Sequence, residues 1–90
     1  MRFALMTQDK PGALQIRMDN REAHLAYIAE TGVVEMAGPV LDDAGQMCGS
    51  LIILDVADMT AAQEWAENDP YAQAGLFEVV TLRPWKKVIG

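Results

Sequence analysis

Three residues could do chemistry together if the fold brings them close. His24 is the one histidine of the chain. Its side chain is the one whose ordinary pKa suits proton transfer near neutral pH. Asp69 stands in "NDPYAQAG", directly before Pro70. Aspartate before proline is a common start of a helical turn. A carboxylate has several acceptor sites, so a cap oxygen leaves room for a second partner. That partner could be an imidazole, which the carboxylate would orient and make more basic. The plainer readings are a half-buried histidine bonded to backbone and an aspartate that only caps.

Ser50 is the one serine. A Ser-His-Asp hydrolase is formally open, but the strand–helix elbow that exposes a nucleophilic serine is missing. Ser50 otherwise reads as a hydrogen-bonding group in a pocket or as an ordinary strand residue. Gly49 beside it indicates a close backbone approach. Tyr71, next after the proline, could belong to core, pocket wall or dimer contact. Cys48 has no basic neighbour in sequence and reads as a small buried hydrophobe. Trp65 and Trp85 read as packing residues, Trp85 at a subunit interface.

Several chemistries lack their signatures. No glycine-rich phosphate loop opens a helix. One histidine and one cysteine do not make a typical zinc site, and the acidic residues lack calcium-loop spacing. No cofactor and no metal are expected.

The elements that must position these residues alternate clearly. "RFALMTQ" (Arg2–Gln8) reads as a strand, broken by "DKPG". A helical pattern runs from Ala13 to Thr31, with Leu14, Met18, Leu25 and Ile28 as its apolar face and Gly32 as its stop. On the same helix Arg17, Arg21, His24 and Ile28 form a second stripe, at steps of four, three and four. Strands follow at Val33–Val40 and Met47–Val56, joined through "DDAG" as a hairpin. "TAAQ" fits a capping box with Thr60 as cap, and a helix follows through Glu67. Leu76–Pro84 is the fourth strand. The order β-α-β-β-α-β predicts an α+β, ferredoxin-like fold. Residues 1–90 are expected to form a single domain.

Composition narrows the partners. A chain of 90 residues buries little surface by itself, yet 51% of this one is hydrophobic. Strands one and four carry apolar residues on both faces, whereas two helices cover one face. A homodimer with sheets face to face is therefore predicted. The net charge of −6 argues against nucleic acid and anionic membrane. No segment approaches the ~18 apolar residues of a membrane span. With no disulfide within the chain and no signal-peptide pattern, a cytoplasmic setting is the default.

Taken in order, the motifs resemble the YCII-related (YciI-like) family. They are "RxxHLxY" (Arg21–Tyr27), "AGP" (Ala37–Pro39), "GS" (Gly49, Ser50), "AxxWAxxDPYxxAGLFExV" from Ala62, and "RPWKK" (Arg83–Lys87). The resemblance covers nearly the whole chain. It implies a dimeric α+β barrel and an active site built on a His-Asp pair, by position His24 and Asp69. Ser50, Tyr71, Arg21 and Pro39 are then the pocket residues that would bind a small-molecule substrate. A few members look like enzymes on aromatic compounds, including a dehydrochlorinase of a chlorinated hydroxyquinol. The short "LDDAGQM" connection departs from members with a longer insertion there.

The leading expectation is a small-molecule enzyme without cofactor, in which His24 acts as base and then acid in an elimination or isomerisation. The alternative is a non-catalytic ligand-binding or assembly module with a structural His24–Asp69 link. A cofactor-free oxygenase rests on fold analogy alone.

Overall fold

The computed structural model describes residues 1–90. The elements are β1 (Arg2–Asp9), α1 (Leu14–Thr31), β2 (Val34–Leu41), β3 (Met47–Asp55), α2 (Met59–Asn68), α3 (Pro70–Gln73) and β4 (Phe77–Pro84). The strands form one sheet in the order β2-β3-β1-β4, antiparallel throughout. This is the ferredoxin-like arrangement expected from the order of elements.

Strand pairing decides what each face carries. Phe3 lies opposite Leu54, Leu5 opposite Ile52 and Thr7 opposite Ser50. All six are buried. The four apolar members join Ala62 and Trp65 in the main core. A second cluster of Ala13, Tyr71 and Leu76 closes the other end of the helical layer. The residues between them in sequence face the other way, because strand side chains alternate. Met6 and its partner Leu51 lie on that second face. Met6, Met36, Leu51 and Val79 are about half exposed.

Gly49 makes the close approach expected of it. A Cβ there would lie 2.2 Å from the Thr7 carbonyl oxygen on the neighbouring strand. Only glycine fits without moving backbone.

Helix ends follow local chemistry, with one correction. Gly32 closes α1 in the left-handed conformation, its N–H donating to the Ile28 carbonyl. The cap of α2 is Asp58, not Thr60. The Asp58 carboxylate accepts from the Ala61 N–H at 2.9 Å. Asp58 is in extended backbone and the helix starts at Met59, two residues earlier than a Thr60 cap would start it, so Thr60 lies inside it. Aspartate is also the stronger cap.

The buried face of α1 is a second correction. Leu14, Met18 and Leu25 are exposed by 36%, 48% and 51%, while Arg17 and His24 are the buried residues of the helix. Hydrophobic spacing alone puts the leucines inward. Each buried polar residue instead has a carboxylate partner on another element, Asp9 for Arg17 and Asp69 for His24, and these two contacts hold that face of the helix inward.

Candidate active site

Asp69 serves two helices at once. It ends α2 and caps α3, and Pro70 holds its ψ in the extended range at 128°. Its Oδ1 accepts from the Tyr71 N–H at 3.0 Å. The same oxygen lies 2.7 Å from His24 Nδ1, reached from α1 across 45 residues of sequence. A carboxylate only accepts, so the histidine donates from Nδ1–H. That leaves Nε2 without a protein partner, on the wall of a cavity. Asp69 is fully buried and its Oδ2 has no hydrogen-bond partner.

Tyr71 is the hinge of the site. Its ring stacks on His24 with centroids 3.9 Å apart and planes 13° from parallel. The Arg17 guanidinium carbon lies 4.7 Å from the Tyr71 ring centre. Burial raises the pKa of the phenol, and the charges of Arg17 and Arg21 pull it partly back.

A second buried pair, Arg17 with Asp9, lies alongside. Arg17 Nε donates to Asp9 Oδ2 at 2.8 Å and Nη2 to Oδ1 at 3.0 Å, a two-point pairing. Nη2 also donates to Ser50 Oγ at 3.0 Å. Burial opposes the charge on Arg17, but the Asp9 carboxylate outweighs it and holds the guanidinium charged more firmly than usual.

These groups surround a cavity of about 170 Å³ between α1, the β2–β3 hairpin and α3. His24, Ser50, Tyr71, Arg21 and Pro39 all line it, and Asp69 stands behind His24. Pro39 and Ser50 are cross-strand partners, which puts them on one face of the sheet. Ser50 is held by Arg17 and has no contact with His24 among its hydrogen bonds, so the structure assembles no Ser-His-Asp relay. Cys48 is only partly buried, unlike the hydrophobe expected, because it lies near the open end of the hairpin, with its Sγ 3.5 Å from the Val40 carbonyl.

Two site residues were not singled out by the sequence. Arg17 shares the stripe of Arg21 and His24, a visible signal. Asp9 gave none, since before Lys10-Pro11-Gly12 it reads as turn chemistry.

Fold and site together define an α+β, ferredoxin-like protein with a buried His-Asp pair open to a small cavity. Residues 1–86 match the model of the YCII-related domain, and the chain belongs to that family. Protein YciI of Escherichia coli O6:H1 is 37% identical over 97 residues, covering 98% of this chain and 99% of the relative. Among solved structures, the chain is similar to 5-chloro-2-hydroxyhydroquinone dehydrochlorinase (TftG) from Burkholderia phenoliruptrix AC1100, in complex with 2,5-dihydroxybenzoquinone. The TM-score is 0.87 at 36% identity, over 96% of this chain and 94% of that one. An antibiotic biosynthesis monooxygenase shares the fold at a TM-score of 0.61, with 11% identity over 98% of each chain. No helix is long and apolar enough to cross a membrane.

Proposed function

We propose that the chain is a small-molecule enzyme that uses His24 and Asp69 for acid–base chemistry. The carrying observation is the 2.7 Å pair at the wall of the cavity, with Nε2 left free of any hydrogen bond within the chain. Nε2 takes a proton from an activated C–H or O–H of the substrate. Asp69 stabilises the imidazolium that forms. In an elimination, the electron pair left behind forms the new double bond as the leaving group departs with its own bonding pair. In an isomerisation, the imidazolium returns the proton at another atom. Ser50, Tyr71, Arg21 and Pro39 bind and orient the substrate. The likeness to a dehydrochlorinase of a chlorinated hydroxyhydroquinone supports a ring- or carbonyl-bearing substrate.

The test is chloride release from 5-chloro-2-hydroxyhydroquinone by wild type and His24→Gln. Loss of proton transfer removes about 10²–10⁴ in rate. Turnover unchanged in a folded His24→Gln protein refutes the proposal.

One observation favours a second reading, a non-catalytic module. Asp69 is fully enclosed and its Oδ1 also caps α3, so the pair would serve as a structural link. Under that reading the variants lose stability and no reaction.

The open sheet face supports a homodimer in either case. Met6, Met36, Leu51 and Val79 leave it apolar, and large apolar patches on small domains mark interfaces. Light scattering of wild type and Leu51→Lys tests this. A monomeric wild type refutes it.

A further inference from the structure

The cavity wall has a charge that the chain as a whole does not. The net charge is −6, yet no aspartate or glutamate lines the cavity, while Arg17 and Arg21 do. The two nearby carboxylates, Asp9 and Asp69, lie behind the wall and are taken up by Arg17 and His24. Arg21 is exposed and makes no ion pair within the chain. It is the uncompensated cation of the site.

The hydrogen bonds around the cavity point the same way. Arg17 is only 3% exposed and uses Nε and Nη2 on Asp9 and Ser50. Its Nη1 carries two more N–H donors, neither of them used on Asp9 or Ser50. Arg17 is one of the residues that line the cavity, and its Nη1 lies on the side not taken up by Asp9 and Ser50. Ser50 accepts from Arg17, which frees its hydroxyl proton to donate. The Tyr71 hydroxyl lies beside the Arg17 guanidinium and takes up no carboxylate or carbonyl with its own proton, which is free to donate, and it feels the charge of both arginines. The wall thus offers donors from four side chains counting Arg21, and apart from His24 the rest of it is apolar, with Ile28, Pro39 and Ile52. An apolar cavity of about 150 Å³ holds one benzene molecule. The 170 Å³ here sets the same scale.

We propose that the cavity takes a single-ring acid, or a compound of that size, in its ionised form. Arg21 and the Tyr71 hydroxyl hold one oxyanion, and Arg17 Nη1 with the Ser50 hydroxyl holds a second acceptor oxygen. This rests on reading the cavity as the substrate site and adds the charge of the substrate and the residue that selects it. Arg21 is the selecting residue, because the charge of Arg17 is already matched by Asp9.

The experiment compares two ligands of one shape and different charge, 4-hydroxybenzoate and 4-hydroxybenzamide. Binding is followed by NMR titration with wild type, Arg21→Gln and Arg21→Lys. 2,5-Dihydroxybenzoquinone, a vinylogous acid ionised at neutral pH, serves as a second anion. In wild type the benzoate is expected to bind at least about tenfold tighter than the amide, a difference of about 1.4 kcal/mol. Arg21→Gln removes that preference, and Arg21→Lys restores most of it. Arg21 is on the surface, so the variants are expected to fold, and the spectra report folding directly. Equal binding of benzoate and amide by wild type overturns the proposal. So does a preference that survives Arg21→Gln, or the failure of both anions to saturate at millimolar concentration. The acid–base reading fails on a different result, unchanged turnover in His24→Gln, which leaves this charge preference intact.

Discussion

Removing Asp69 tests the centre of the structural reasoning. Asp69→Ala deletes the acceptor of two hydrogen bonds, from His24 Nδ1 at 2.7 Å and from the Tyr71 N–H at 3.0 Å. Both donors are buried in residues less than a tenth exposed. Each donor left without a partner costs about 1–3 kcal/mol, so the substitution costs about 2–6 kcal/mol. A chain of 90 residues has in all about 5–14 kcal/mol of stability. The variant therefore loses a large share of its stability. Asp69→Asn is milder, because it keeps an acceptor oxygen and loses only the charge. It trades a charge-assisted bond for a neutral one, a loss of about 1–2 kcal/mol. The measurement is urea unfolding of wild type, Asp69→Ala, His24→Ala and the double variant, read at constant m. Since His24 and Asp69 share one bond, the two losses do not add. The cycle should return a coupling of about 1.5–3 kcal/mol, the range for a hydrogen bond to a charged group. A coupling under about 0.5 kcal/mol lies within the error of additivity and refutes the pair as a real interaction. Set beside turnover, the same variants separate the two functional readings. A large coupling with no activity to lose marks a structural link.

Three further outcomes follow from other parts of the fold. Arg17→Met leaves Asp9 buried without its cation and should cost about 3–5 kcal/mol in urea unfolding; Asp9→Asn in the same chain should recover part of it, and no recovery refutes the pairing. Gly49→Ala places a Cβ 2.2 Å from the Thr7 carbonyl, so about 1–3 kcal/mol is lost to overpacking, and an unchanged melting temperature contradicts the register. Burial raises the pKa of both tyrosines, with Arg17 and Arg21 opposing it at Tyr71 and the Asp69 charge adding to it at Tyr27. Unfolded tyrosines lose their protons first as pH rises past about 10, so the unfolded state binds fewer protons there and stability falls with rising pH. Tyrosinate absorbance in the folded protein should therefore appear only above the ordinary range, and ionisation of either phenol below it refutes the burial argument.

Much of this protein is written locally. Gly32, Asp69-Pro70 and the Asp42–Gly45 turn act through their own backbone preferences, which need no distant partner. Gly32 stops α1 because the left-handed conformation suits glycine. Pro70 fixes Asp69 in extended backbone wherever the segment lies. The alternation of apolar residues in β1 fixes which side chains share a face, and the order of elements then leaves few ways to pair four strands. For the same reason the candidate residues His24, Asp69, Ser50 and Tyr71 were legible. Their types and neighbours limit what they can do.

Only the tertiary structure decided which partner each of them takes. Ser50 goes to Arg17 and not to His24 because it sits opposite Thr7, on the Asp9 side of the cavity. Asp9 reads as a turn residue until α1 folds back over β1 and brings Arg17 to it. The rotation of α1 was likewise beyond the sequence pattern. A hydrophobic stripe ranks leucine above arginine, because periodicity counts side chains one at a time. Burying a charge depends on a partner that can be 45 residues away, as for His24 and Asp69. Local preference carries no information about that distance, so the helix face, the buried pairs and the charge of the cavity appear only once the chain has folded.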